Sequence, residues 1–337
     1  MFTRSVVDNT WDDTRTMSER LVGDIGGTNA RLALLGADGW PVDPITYACD
    51  DFPGLEEAIA AFKNERGVEA IVDAVIAVAT PVNSDQITLT NNHWSFSIAK
   101  LERSLGLASG RFQVINDFTA LALSVPHLTP QDVRKIGPGE AVQGKPIAVI
   151  GPGTGLGVSG LVPTPNGNWV ALQGEGGHVS IGVRTDREIA IHDLLIDRFR
   201  HVSAERFLSG EGLENISNAL REIDGLEPQE LTPARISAMG LSGEDPICQE
   251  TLGIFAELLG SCAGNLALTL GAEGGVYIGG GIVPRLGDWF AESNFREHFQ
   301  AKGRMSTLLA AIPTYVIVAP YPALTGAASV LKAVAPV

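Results

Sequence analysis

The stretch LVGDIGGTNARLALL, residues Leu21–Leu35, decides how the rest of the chain is interpreted. Two short apolar runs flank a turn that holds Gly26 and Gly27, a pattern that predicts a β-hairpin. Glycines let backbone N–H groups approach a polyanion closely. Asp24 suits such a site if a divalent cation lies between its carboxylate and a phosphate. The pattern indicates a phosphate-binding hairpin of an ATP-using enzyme, but an ordinary tight hairpin has the same spacing.

A second glycine-rich hairpin is predicted in the middle of the chain. The apolar run Ile147–Ile150 leads into GPGTGLG, residues Gly151–Gly157, and Val158–Val162 returns. This repeats the order of strand, glycine-rich turn and strand, so we interpret it as an internal structural duplication. Two such hairpins facing each other would hold a triphosphate between them, which is a more specific signal than either hairpin alone.

The composition limits the classes of function. The chain has 337 residues and a net charge of −15, which suggests about two domains and argues against binding to nucleic acid or to an anionic membrane surface. Its three cysteines form no CxxC pair, so we expect neither disulfides nor a zinc site but a reducing cytoplasm. The first 20 residues are polar and read as an extension. Apart from a long apolar segment near residue 260, interpreted as a buried helix, we expect no membrane span.

Strands alternate with helices along the chain, which predicts an α/β layered fold. In the first part we expect strands at Pro44–Cys49, Ala74–Ala79, Gln86–Thr90 and Phe112–Ile115, and helices at Pro53–Gly67, Ser97–Leu105 and Phe118–Ser124. In the second part we expect strands at Trp169–Gln173, Gly275–Ile278 and Tyr315–Ala319, and helices at Arg187–Arg200, Glu205–Leu208, Glu214–Ile223, Pro246–Leu270 and Leu324–Ala333. Leu128–Gly144 is predicted to be a loop or a domain crossing, and the glycines at 210 and 212 to interrupt helix.

Polar side chains follow the buried strands at points where ligand sites form in layered α/β proteins. Asp117 is the candidate general base, because it directly follows an apolar strand, and Asn116 beside it can hydrogen-bond a neutral ligand. Glu175, His178 and Glu205 add further polar groups near turns. An acidic substrate would require Arg or Lys, and GEGGHVS contains neither. The pattern therefore favours a polyhydroxylated ligand such as a sugar.

Each of these groups also has a purely structural interpretation. His178 is compatible with a hydrogen-bonded structural histidine, and Glu205 with a favourable charge near a helix start. Gly279–Gly281 offers a flat surface without side chains for adenine or ribose, but a simple turn from strand to helix looks the same.

Eight motifs together resemble the bacterial ATP-dependent glucokinase family, within the superfamily of hexokinase, actin and chaperone ATPases. They are GDIGGTNARLAL, LTNNHWSFSI, VINDFTALAL, GPGTGLGV, GEGGHVSIG, ERFLSGEGLENI, GVYIGGGIVPRL and LTGAASVL. They occur in order from Leu21 to Leu331. The cysteine-rich zinc motif of the related group of repressors and kinases is absent, and LTNNHW departs slightly from the family pattern.

The resemblance implies transfer of the γ-phosphoryl group of ATP to D-glucose, with Mg²⁺ held by Asp24 and with Asp117 as the base. It implies sugar contacts at Asn116, Asp117, Glu175, His178 and Glu205. It implies nucleotide contacts at Gly23, Asp24, Ile25, Gly26, Gly27, Thr28 and Asn29, at Gly153, Thr154 and Gly155, and at Gly279, Gly280 and Gly281.

The resemblance also implies an α/β fold of two ribonuclease-H-like domains of the actin-like ATPase kind with a cleft between them. The small domain would comprise residues 21–127 and 320–337, and the large domain residues 128–319. It further implies a cytoplasmic homodimer whose ligands are glucose and ATP, without nucleic acid or membrane partners.

Three other functions remain open from the residues alone. One is a kinase for another hexose, such as fructose or mannose. Another is a non-catalytic sugar-binding regulator, although 20 polar residues are too few for a DNA-binding domain. The third is an actin-like or chaperone-like ATPase with a protein partner.

Overall fold

The computed structural model describes residues 19–334. The first part consists of β1 (Glu19–Ile25), β2 (Asn29–Leu35), β3 (Pro41–Ala48), α1 (Leu55–Arg66), β4 (Ile71–Val78), β5 (Gln86–Thr88), β6 (Ser95–Ser97), α2 (Ile98–Ser104), β7 (Phe112–Asn116) and α3 (Asp117–Ser124). Five of these strands form one sheet in the order β3-β2-β1-β4-β7, and β5 pairs with β6.

The second part begins with β8 (Val133–Ile136), β9 (Ile147–Pro152), β10 (Leu156–Pro163), β11 (Trp169–Gly174), α4 (Asp186–Phe199), α5 (Gly210–Ile223), α6 (Pro233–Ser242) and α7 (Pro246–Leu270). It continues with β12 (Val276–Ile278), α8 (Val283–Glu292), α9 (Phe295–Gln300), α10 (Ser306–Ala311), β13 (Thr314–Ile317) and α11 (Pro322–Val334). Its sheet has the order β11-β10-β9-β12-β13-β8.

The two sheets share one plan, as the predicted duplication requires. In each, an antiparallel three-stranded meander is followed by two strands that run parallel to its first strand. In the first sheet, Ile25 pairs with Val78, and Val78 pairs with Asn116. The turn after β1 and the start of α3 therefore lie at the same edge of the sheet, where ligand sites form in such folds.

Helix α3 connects the two halves. It packs against α11 on one side and against β10 and β11 on the other. The approach is close, because a methyl group at Gly326 of α11 would overlap with the carbonyl group of Ala120, and one at Gly157 of β10 would overlap with the ring of Phe118. The position of Asp117, the first residue of α3, is therefore fixed by both sheets.

Helix α7 has the length and apolar composition of a membrane-crossing helix, but 67% of its most apolar 18-residue window is buried inside the protein. It packs against α5, α6, α9 and β9. Its apolar residues thus form the core of the larger sheet's helical layer, as the sequence predicted. Gly67 and Gly271 end α1 and α7 in the left-handed conformation that favours glycine.

Several elements differ from the predictions. The segment Leu128–Gly144 contains β8, an edge strand that pairs with β13. With four residues, β8 is too short for an alternation of apolar and polar residues to be recognised in the sequence. The predicted helix Glu205–Leu208 is only a 3₁₀ turn at Ala204–Arg206. Gly210 and Gly212 lie in the first turn of α5 and do not interrupt a helix. A side chain at Gly212 would overlap with the backbone of Phe207. The helices α6, α8, α9 and α10 were not predicted. Residues 1–18 of the predicted extension lie outside the described residues, and its last two residues belong to β1.

Candidate active site

The first glycine-rich turn is held from both sides. Gly26 N–H donates to the carbonyl of Asn29 at 2.9 Å and closes the turn. The Gly26 carbonyl accepts a hydrogen bond at 3.4 Å from the side chain of Asn92, a residue of the LTNNHW motif, which therefore supports the turn. A methyl group at Gly27 would come within 3.0 Å of Asn91. The turn is therefore rigidly seated and is suited to present its backbone to a ligand.

The residues predicted to contact phosphate include a buried set and an exposed set. Gly23 lies inside β1, where a methyl group would come within 2.6 Å of Ile76 and 2.9 Å of Leu32, so its small size serves sheet packing. Ile25 is likewise buried. Thr28 is exposed at the turn, as a donor for a phosphate must be.

Asp24 is paired with a residue that sequence reasoning missed. Its Oδ2 lies 3.1 Å from Nη1 of the Arg31 guanidinium group, and the two residues face each other in the β1–β2 register. Burial raises the pKa of Asp24 above its ordinary value, and Arg31 opposes that shift. The facing positions of the hairpin were a usable signal, because cross-strand neighbours of opposite charge commonly pair.

Asn116 and Asp117 join β7 to α3 and have different roles. The Asn116 side-chain oxygen accepts from the N–H groups of Phe118 and Thr119 at 2.9 and 3.2 Å, which caps α3. Its Nδ2 donates to the carbonyl of Thr80 at 3.4 Å. Asn116 therefore fixes the first turn of the helix, so that the carboxylate beside it is held in one place.

The pKa of the Asp117 carboxyl group lies far above its ordinary value. Burial raises its pKa to about 7, the negative charge of Asp24 adds to the shift, a hydrogen bond from Phe118 N–H opposes it, and Glu175 adds a smaller increase. The interaction with Glu175 links the first sheet with the segment after β11. A carboxylate with a pKa near neutrality is suited to accept a proton from an alcohol.

The predicted sugar residues of the second half lie near one another. Glu205 Oε2 accepts from Leu156 N–H at 2.9 Å, and its Oε1 lies 4.0 Å from His178 Nδ1. The N–H of His178 donates to the carbonyl of Glu175 at 3.0 Å. The side chain of His178 is 61% exposed, so it remains accessible to a ligand.

The second glycine-rich turn is closed by Gly153 N–H, which donates to the carbonyl of Gly155 at 2.8 Å. A methyl group at Gly155 would overlap with Glu205 Oε2, so the turn directly adjoins the predicted sugar residues. Thr154 is exposed at its tip.

Gly279–Gly281 lies against this same hairpin. Gly279 N–H donates to the carbonyl of Ile150 at 2.9 Å. Gly280 has a φ of +78°, and a methyl group there would overlap with the Pro152 carbonyl. Apart from Gly281 itself and its two chain neighbours, no atom of residues 19–334 lies within 4 Å of a methyl group placed at Gly281. The structure therefore brings the second turn and the three glycines together and leaves one of them open to a ligand.

Comparison with known proteins identifies the family. The sequence profile of the family described as Glucokinase matches residues 21–334. This chain belongs to the glucokinase family. A glucokinase of Chromobacterium violaceum is 52% identical over 310 residues, which cover 92% of this chain and 88% of that protein. A glucokinase of Aromatoleum aromaticum is 52% identical over 314 residues, or 93% and 94% of the two chains.

Solved structures confirm the fold of a glucokinase. A glucokinase from an Antarctic psychrotroph superimposes with a TM-score of 0.83 at 37% identity, over 94% of this chain and 99% of that chain. A glucokinase from Balamuthia mandrillaris, solved in complex with glucose, superimposes with a TM-score of 0.77 at 21% identity, over 94% of each chain, and at that identity supports the fold alone. The predicted α/β fold of the actin-like ATPase kind is thus confirmed. The assignments of individual site residues stay predictions.

The raised pKa of Asp117 predicts a cost to the stability of this glucokinase-family chain. The folded pKa of about 7 lies above the ordinary value of 3.8, so between these values the folded state binds more protons than the unfolded state. Stability therefore falls as pH rises through that window, and the loss is complete above about pH 7. We expect Asp117→Asn to raise the free energy of unfolding of the ligand-free protein at pH 8 by about 1–3 kcal/mol.

Urea unfolding of both proteins at pH 4.5 and pH 8 measures this difference. The gain should be small at the lower pH, where the wild-type carboxyl group is largely protonated in the folded state. An equal effect at both pH values would contradict the raised pKa.

Proposed function

We propose that this protein transfers the γ-phosphoryl group of ATP to the 6-hydroxyl of D-glucose and releases ADP and glucose 6-phosphate. The observation that carries the proposal is Asp117 at the junction of β7 and α3, a carboxyl group whose pKa is raised to about 7 by burial and by the negative charges of Asp24 and Glu175. Membership of the glucokinase family and the two glycine-rich turns support the same conclusion.

In this proposal, Asp117 accepts the proton of the sugar's primary hydroxyl as negative charge builds on the oxygen. That oxygen forms a bond to the γ-phosphorus while the bond between this phosphorus and the β–γ bridging oxygen breaks. Positioning supplies most of the rate enhancement in such a reaction. Glu175, His178 and Glu205 would hydrogen-bond the other hydroxyls, and the two glycine-rich turns would hold the triphosphate.

We propose Asp24 as the group that holds Mg²⁺, directly or through a water molecule. The carboxylate of Asp24, which pairs with Arg31 and whose charge raises the pKa of Asp117, provides the oxygen ligand and the negative charge that this ion prefers. Bound Mg²⁺ would neutralise charge on the phosphates of ATP.

The remaining assignments rest on the family. We propose a small domain of residues 21–127 and 320–337, a large domain of residues 128–319 and a cleft between them, and the packing of α11 on β1, β4 and α3 supports this division. We also propose a cytoplasmic location and a homodimer. Light scattering of the purified protein measures its oligomeric state.

Phosphorylation of a hexose panel with ATP and Mg²⁺ tests the proposed function. We expect glucose to give a kcat/KM at least about tenfold above that of its epimer mannose or of the ketose fructose, because a polar group that the wrong isomer buries without a partner weakens binding. We also expect little ATP hydrolysis without sugar. Equal turnover of several hexoses would indicate a different hexose kinase, sugar-independent hydrolysis would indicate an actin-like ATPase, and sugar binding without turnover would indicate a regulator.

A further inference from the structure

Three side chains on three helices converge outside the proposed active site. They are Glu188 in the first turn of α4, Glu257 in the middle of α7 and His298 in α9. One ligand atom of each side chain, two carboxylate oxygens and one imidazole nitrogen, lies within 4.8 Å of the other two. These are the donor types that bind divalent metal ions in proteins.

Among the described residues, only one of the two carboxylate oxygens of Glu188 has a hydrogen-bond partner, although the residue is 1% exposed. Its Oε2 accepts from the N–H groups of Arg184 and Thr185 at 2.6 and 3.0 Å, as part of the capping box of α4. Its Oε1 is buried and has no hydrogen-bond partner among residues 19–334. A buried carboxylate oxygen without a partner costs free energy, so a bound ion or a water molecule is needed to satisfy it.

His298 and Glu257 complete the cluster. Nδ1 of His298 is buried and likewise lacks a partner in the described part of the chain, and its Nε2 lies 4.0 Å from Glu257 Oε2. Glu257 Oε1 accepts from the Asn294 side chain at 2.8 Å, which fixes the carboxylate and directs its other oxygen to the cluster. Such supporting hydrogen bonds are typical of metal ligands.

We propose that Glu188, Glu257 and His298 bind a divalent transition metal ion, and that Zn²⁺ fits best. Zinc accepts one imidazole nitrogen and two carboxylate oxygens at about 2.0–2.2 Å, which puts tetrahedral ligand atoms roughly 3.5 Å apart, with water in the fourth position. Side-chain movements of about 1 Å therefore close the site. The imidazole favours zinc over magnesium or calcium.

The ion would join three helices of the large sheet's helical layer. Glu188 lies between the proposed sugar contacts His178 and Glu205 in the sequence. The site uses no residue of the proposed active site and no cysteine. Its function would therefore be structural, because a metal that binds the folded state alone stabilises it.

Zinc binding to the untagged, chelator-treated full-length protein tests the proposal. Titration is done in excess Mg²⁺, so that carboxylates of the active site are already occupied. We expect one equivalent of tightly bound Zn²⁺ in the wild type and less than about a tenth of an equivalent in His298→Gln and Glu257→Gln. We expect a hundredfold excess of Zn²⁺ over its Kd to raise the wild-type Tm by about 3–8 °C.

Glu297→Gln is the matched control, because Glu297 is exposed on the same helix as His298. It should keep the full equivalent of zinc and the full rise in Tm. If His298→Gln fails to fold, Glu257→Gln, which alters a side chain that is 20% exposed, gives the same test. Absence of stoichiometric zinc in the wild type, or equal binding by the variants, would show a metal-free cluster of Glu, His and Glu and overturn the proposal.

Discussion

Replacing Asp117 by Asn or Ala is expected to lower kcat for glucose phosphorylation by about 10²- to 10⁴-fold, which is the usual contribution of a general base. Asn keeps the shape of the side chain and can accept the hydrogen bond from Phe118 N–H, but it cannot take up a proton. The KM for glucose should change less than kcat, because Glu175, His178 and Glu205 would still bind the sugar. A coupled assay of glucose 6-phosphate formation measures both parameters.

Asp197→Asn provides the control, since Asp197 is exposed on α4. It should retain wild-type kcat. The Asp117 variants should unfold cooperatively and, at pH 8, at a higher temperature than the wild type. Unchanged turnover in a folded Asp117→Asn variant would remove Asp117 from the role of base.

Replacing Gly326 by Ala is expected to destabilise the protein by about 1–3 kcal/mol through overpacking. The added methyl group would overlap with the carbonyl of Ala120, so α3 and α11 must separate. Because α3 begins at Asp117, kcat of the folded protein should also fall by about 10- to 100-fold, the cost of misplacing a catalytic group by about 1 Å. Thermal unfolding and an activity assay well below the Tm measure the two effects.

Gly253→Ala is the matched substitution in a second helix. Gly253 lies in α7, and in the described part of the chain nothing beyond the backbone of α7 lies within 4 Å of a methyl group placed there. Ala should therefore stabilise the protein by about 0.5–1 kcal/mol, since it has the better helix propensity, and should leave kcat unchanged. If both variants behaved alike, the close approach of α11 to α3 would not control the position of Asp117.

Four strands of the two meanders, β1, β2, β9 and β10, could be predicted from the sequence, because each is a short apolar run next to a glycine-rich turn. Strand β8 could not, since an edge strand of four residues, VRKI, gains its stability from pairing with β13, which is nearly 180 residues away. The glycines at the start of α5 misled the prediction for a similar reason. Local propensity disfavours helix there, whereas the close packing of Gly212 against the backbone of Phe207 requires a glycine.

The candidate site could be predicted only in part. The carboxylate of Asp24 lies near the end of β1 and that of Asp117 directly follows β7, and the apolar runs that form these strands can be recognised in the sequence. The interaction of Asp117 with Glu175 depends on how the two halves pack, and no local pattern contains that information. The cluster of Glu188, Glu257 and His298 likewise comes from three distant helices.

A structure of the protein with glucose and a non-hydrolysable ATP analogue tests the central claim most directly, through the distance from the Asp117 carboxylate to the 6-hydroxyl oxygen. The account predicts a hydrogen bond of about 2.6–3.2 Å, with the triphosphate between the turns at residues 26–28 and 153–155. A sugar bound beyond the reach of Asp117, or a triphosphate that contacts neither turn, would contradict it.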